Sequence, residues 1–97
     1  MRAFSDTAGL EWTLDVTVGS IKRVREATEV VLPSLFDNKM EPFGQLAQDY
    51  EKLVNVLWAM CSRQHPEVDA EQFAESLGGD TLAQATEALG RATADFF

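Results

Sequence analysis

Cys61 and His65 are the one cysteine and the one histidine of the chain. A thiolate–imidazole nucleophile pair would need the two to converge. They sit four apart at the expected end of a helix, and Pro66 follows His65. The pair therefore reads as a small buried apolar side chain and a turn residue. Cys61 alone can form neither an internal disulfide nor a thiolate metal cluster. Asp69, Glu71 and Glu75 gather carboxylates in one stretch, but the twelve-residue spacing of a calcium-binding EF-hand loop is missing. Gly78-Gly79 lacks the lysine that follows in a phosphate-cradling loop and reads as a helix stop. Neither an H-E-x-x-H pattern nor a nucleophile elbow occurs. General acid–base work needs carboxylates whose surroundings push their pKa values apart. The acids here fall on helix faces and caps expected to be wet. The expectation is a protein that is not an enzyme and has no catalytic, metal or cofactor site.

Charge narrows the partners. The net charge is −8, from 16 acids against 8 bases, and such a field opposes a phosphate backbone. Lys22, Arg23 and Arg25 form the one basic cluster. Glu26 lies four after Lys22 and Glu29 four after Arg25, so helical pairing largely neutralises it. Nucleic acid is not expected as a partner. The acids are unevenly placed, with seven of them against the single base Arg91 between Gln64 and Phe97. A surface with that bias attracts basic partners. No apolar run approaches the about 20 residues that span a bilayer, and the first residues lack the apolar stretch of a secretory signal. A cytoplasmic protein that does not enter a membrane is expected.

The elements that would position these groups follow from the apolar spacing. The 97 residues suit one domain over 1–97, with a β-hairpin in 1–17 and a helical part in 18–97. Phe4 ends a short first strand, Ser5 to Gly9 is turn chemistry, and Trp12, Leu14 and Val16 alternate with polar residues. A lone hairpin is marginal in water, so the helices must cover its apolar face. The first helix starts near Thr17 or Ser20, carries Ile21, Val24, Thr28 and Val31 as a stripe, and is stopped by Pro33. Leu35 to Met40 reads as a connector. Pro42 then suits the first turn of a helix carrying Phe43, Leu46 and Ala47, which Asp49 interrupts.

Tyr50 to Ser62 is apolar around most of its circumference, through Leu53, Val54, Val56, Leu57, Trp58, Met60 and Cys61. That marks the central helix. Gln64 to Val68 reads as a loop. Asp69 caps the next helix, with Gln72 at the capping-box position, and Phe73, Ala74 and Leu77 follow. Asp80 is expected to cap a last helix bearing Leu82, Ala85, Leu89, Ala92 and Phe96. Gly90 inside it costs about 1 kcal/mol relative to alanine, which makes this helix the softest. The fold class expected is α+β, mostly α, with the two-stranded hairpin packed on about four to five short helices. Phe96 and Phe97 either dock on the core or form an apolar interface patch. With Leu89 and Ala92 they are the candidate partner-binding residues.

Whole-chain pattern adds a resemblance. The opening from Phe4 through Glu11-Trp12-Thr13-Leu14-Asp15-Val16 to Arg25 resembles a family of small phage and prophage tail proteins. So do Leu53-Val54-Asn55-Val56-Leu57-Trp58-Ala59-Met60-Cys61 and the stretch from Phe73 to Asp95-Phe96-Phe97. The family is that of tail assembly chaperones, and the likeness is one of pattern over most of the chain, with no catalytic signature. It implies a protein that binds the tape measure protein, keeps it soluble and helps recruit tail tube subunits, and that is absent from the mature particle. Relatives in that family often run on past the paired phenylalanines. A homo-oligomer is compatible with this. Two other readings stay open: a head–tail connector or tail completion subunit of the virion, and an acidic regulatory module that occupies a basic site on another protein.

Overall fold

The computed structural model describes residues 2–97. Two strands, β1 (Arg2–Ser5) and β2 (Glu11–Leu14), pair antiparallel, with Arg2 opposite Leu14 and Phe4 opposite Trp12. Five helices follow: α1 (Val18–Thr28), α2 (Asp37–Gln48), α3 (Tyr50–Cys61), α4 (Ala70–Glu75) and α5 (Asp80–Phe96). A 3₁₀ turn, Leu32–Phe36, joins α1 to α2. The protein is thus α+β and mostly α, as the sequence pattern indicates.

The period-two alternation puts Phe4, Trp12 and Leu14 on one face of the hairpin, and all three are buried, with Val16 just beyond β2. β1 lies on α5, and β2 lies on α3 and α5. Gly9, at φ 87°, closes the turn, and its N–H donates to the Asp6 carbonyl. β1 extends one residue past Phe4. The exposed end of the sheet is fastened by an Arg2–Asp95 ion pair, Nε to Oδ2 2.9 Å, between the first strand and the last helix.

α3 is central, as expected. It contacts α1, α2, α4, α5 and β2, and it buries Leu53, Val56, Leu57, Met60 and Cys61. Asp49 interrupts the preceding helix because it is the N-cap of α3, accepting from the Lys52 N–H. The rings of Trp12, Trp58 and Phe73 meet edge-on or tilted, with centroids 4.9–6.3 Å apart. All the buried apolar residues belong to one cluster.

Three local expectations are corrected. First, Thr17 does cap α1, in a reciprocal capping box with Ser20, but the helix ends at Thr28 and not at Pro33. Glu29 is left-handed at φ 65°. The Thr28 hydroxyl donates to the Val24 carbonyl and accepts from the Val30 N–H. This early exit turns Leu32 and Leu35 into the core and leaves Val31 outside. Pro33 instead sits within the first turn of the 3₁₀ segment, directly after Leu32.

Second, the connector is more structured than a plain turn. Asn38, Lys39 and Met40 are all left-handed, at φ 52°, 58° and 69°, so the regular right-handed part of α2 begins only at residue 41. Third, Gly79 and not Asp80 occupies the N-cap of α5. Its φ of 54° with ψ −125° is a backbone state that side chains disfavour. Asp80 lies one residue inside, where its charge still favours the helix dipole.

A candidate protein-binding groove

The positive-φ corner at Gly79 sets α4 and α5 at an angle that leaves a cleft against α2 and α3. Each long wall offers two successive rows of a helix face. Tyr50, Glu51, Val54 and Asn55 come from α3, and Leu82, Ala83, Thr86 and Glu87 come from α5. Both sets follow the i, i+1, i+4, i+5 rule of neighbours on a helix surface. Phe43 and Ala47 of α2 and Ala74 and Leu77 near the corner complete the lining. The cleft is open to solvent, has a volume of about 960 Å³ and is mostly apolar. That is at the upper end of ordinary ligand pockets.

Gly90 has a role here. A Cβ at that position would lie 3.1 Å from Phe43 Cζ. The missing side chain lets the Phe43 ring lie against α5, where its other contact is an edge-on approach to Phe36 at 6.1 Å. The glycine that weakens α5 as an isolated helix is therefore the position that receives the Phe43 ring of α2.

The lining contains two acids, Glu51 and Glu87, and no lysine, arginine or histidine. Both carboxylates are exposed. Glu87 pairs with Arg91 one turn on, at 2.6 Å, with both side chains about 60% exposed. Such a pair is held weakly and can exchange partners.

The partner-binding candidates named from sequence are separated by the structure. Leu89 and Ala92 are 0% and 3% exposed, within the core cluster on the helix that backs the hairpin, and offer no surface to a partner. The reason is their shared face with Ala85 and Ala88, which packs inward. Phe96 and Phe97 are exposed, and they touch each other edge-on at 4.6 Å. They do not line the groove. Tyr50, Leu77 and the Gly78-Gly79 corner do, and only the tertiary arrangement singles them out.

The chemistry-bearing residues are used as structure. Cys61 is buried, its Sγ lies 3.6 Å from the Thr13 carbonyl, and burial pushes its thiol up to about 12. His65 does not meet it as a base. Its Nε2 lies 2.8 Å from the Glu11 carbonyl, and its ring stands edge-on to Trp12 at 4.5 Å. Gln64 works beside it, accepting from the Thr13 N–H at 2.8 Å and donating to the Thr13 carbonyl at 2.7 Å. This loop therefore occupies backbone groups along the outer edge of β2 that would otherwise invite another strand.

Asp6 is a residue the pattern reading passed over as turn chemistry. It is 7% exposed. One carboxylate oxygen accepts from the Ala8 and Leu10 N–H groups and the other from the Trp12 indole, all at 2.9 Å. Burial would raise its pKa, but the hydrogen bonds, from Trp12, Leu10 and Ala8 above all, outweigh that, and the net shift is downward. Among the described residues no three His, Cys, Asp or Glu side chains gather where a metal ion could sit, and no helix is long and apolar enough to cross a membrane. No family model, curated protein or solved structure matches the chain.

Proposed function

We propose that this chain acts without catalysis, as an assembly chaperone that shelters an apolar helical segment of a client protein in the groove between α3 and α5. The observation that carries this reading is the groove itself: a wide apolar surface, open to water, on a domain whose outer charge is strongly negative. An apolar cleft of this size is a common mark of a recognition site. Client chains with long apolar helical stripes aggregate unless those stripes are covered, and like charge on the cover keeps the complexes apart. The likeness of the sequence to tail assembly chaperones gives the client as the tape measure protein of a phage tail, with tail tube subunits as a later partner.

Co-expression tests this. The intact chain should raise the soluble yield of a tape measure protein. Ala83→Arg, placed on an exposed wall position of the groove, should abolish the effect without altering the melting point. Phe96→Ser with Phe97→Ser asks the same of the exposed C-terminal aromatics. No increase in yield with the intact chain would defeat the proposal. Recovery of the chain from purified mature particles would favour a virion component instead.

A further inference from the structure

We infer that the groove selects one class of occupant: a single amphipathic α-helix of another protein whose apolar stripe is flanked on both sides by lysine or arginine. This rests on the groove being the client-binding face and specifies what that face accepts.

Two observations carry it. The first concerns backbone. Every residue that lines the groove belongs to a helix or to the α4–α5 corner, and none belongs to β1 or β2. An extended peptide laid there would meet side chains and no free strand edge, so its N–H and C=O groups would lose water without gaining partners. A helix satisfies its own backbone and needs only an apolar stripe to bury. The second concerns charge. Glu51 stands on one wall and Glu87 on the opposite wall, and no basic side chain lines either. An occupant with cations along both borders of its stripe meets a carboxylate on each side. One with acids there meets two like charges, one on each wall. Arg91 does not close the site, because it is outside the lining and its hold on Glu87 is an exposed i,i+4 pair.

The apolar strip on α1 does not explain the same preference. It joins exposed Val18 to half-buried Ile21 and is bordered by Lys22 and Arg25 as well as Glu26. It would favour the opposite sign or none.

The test uses the full chain and two labelled peptides of about four helical turns. They carry the same Leu/Ile stripe at i, i+3, i+4 and i+7, bordered by Lys in one and by Glu in the other. Fluorescence anisotropy should show the Lys-bordered peptide binding at least tenfold tighter than the Glu-bordered one. In Glu51→Lys/Glu87→Lys the order should invert. A control of equal charge, Glu26→Lys/Glu29→Lys on exposed positions of α1, should keep the original order, which separates the groove from the overall field. All four substituted positions are exposed, so melting curves should confirm folding.

Tight binding of both peptides with equal affinity would overturn the charge selection and leave the client-binding reading standing. Failure of both peptides to bind would remove both. Concentration-dependent self-association abolished by Ala83→Arg would mean that a second copy occupies the groove, and would overturn the inference. Inversion of preference by the α1 control as strongly as by the groove variant would do the same.

Discussion

Asp6 holds the hairpin in place, and its removal should be among the costlier single changes in the chain. The carboxylate accepts three hydrogen bonds, two from backbone N–H groups of the turn and one from the indole of Trp12, which is wholly buried. In Asp6→Ala the turn N–H groups are close enough to the surface for water to replace part of their loss. The Trp12 N–H is not, and an orphaned buried donor costs about 1–3 kcal/mol. Adding the turn bonds, worth roughly 1 kcal/mol each when water competes, gives a total of about 3–5 kcal/mol. For a domain of this size each kcal/mol moves the melting point by roughly 4–8 °C, so Tm should fall by more than about 12 °C. Asp6→Asn keeps an oxygen for the turn and fails only at the indole, so it should fall between wild type and Asp6→Ala.

The assay is thermal and urea unfolding followed by tryptophan fluorescence, at pH 7 and at lower pH. The sign of the pH effect follows from the lowered pKa. The folded state holds the Asp6 proton less tightly than the unfolded state does. The stabilisation is therefore complete above the unfolded value near 3.9 and is lost as pH falls through the folded value below it. The gap between wild type and Asp6→Asn should narrow over that acid range. A Tm loss under about 5 °C for Asp6→Ala, less than 1–2 kcal/mol can produce, would refute this account. So would a gap that widens as pH falls.

Three further outcomes are expected. Leu57→Ala, in the centre of α3 and 0% exposed, should lower stability by about 2–5 kcal/mol in urea unfolding, through lost transfer energy and the cavity left behind. Gly90→Ala should fail to yield the about 1 kcal/mol that helix propensity promises, because the new Cβ meets Phe43 at 3.1 Å. In a Phe43→Leu background the same change should be stabilising by about that amount, which a double-mutant cycle would read directly. Cys61, buried with its thiol pushed up to about 12, should resist a thiol reagent at pH 8 until the protein is unfolded. Modification of the native protein at the rate of an exposed thiol would contradict the packing of α3 against β2.

Much of the architecture is legible in the residues because its signals are local. The alternation of Trp12, Leu14 and Val16 sets the buried face of the hairpin. Asp69 with Gln72 is a capping box readable from spacing, and it forms; of the two caps open for α1, Thr17 takes the position and Ser20 answers it. The apolar run from Leu53 to Cys61, broken only by Asn55, marks α3 as the centre, because a helix apolar on most sides has nowhere else to go. Where local signals compete, sequence loses the answer. Pro33 is a strong stop, yet α1 ends five residues before it, at Thr28, since the fold buries Leu32 and Leu35. Gly78-Gly79 announces a break without saying that Gly79 itself takes the cap.

The site was the least legible part. Leu89 and Phe96 share α5 and look alike in a one-dimensional pattern, but the hairpin and the other helices cover the first and leave the second in water. The groove joins residues from Phe43 to Glu87, drawn from four helices. No periodicity within one helix encodes an opening between helices. Composition and spacing determined the kind of fold this is: an acidic, mostly helical domain with a hairpin at its start. The tertiary structure alone decided which of its apolar stripes is spent on the core and which is left facing water in the groove. That outcome depends on the angles at which helices cross, and those angles are set by many weak contacts acting together.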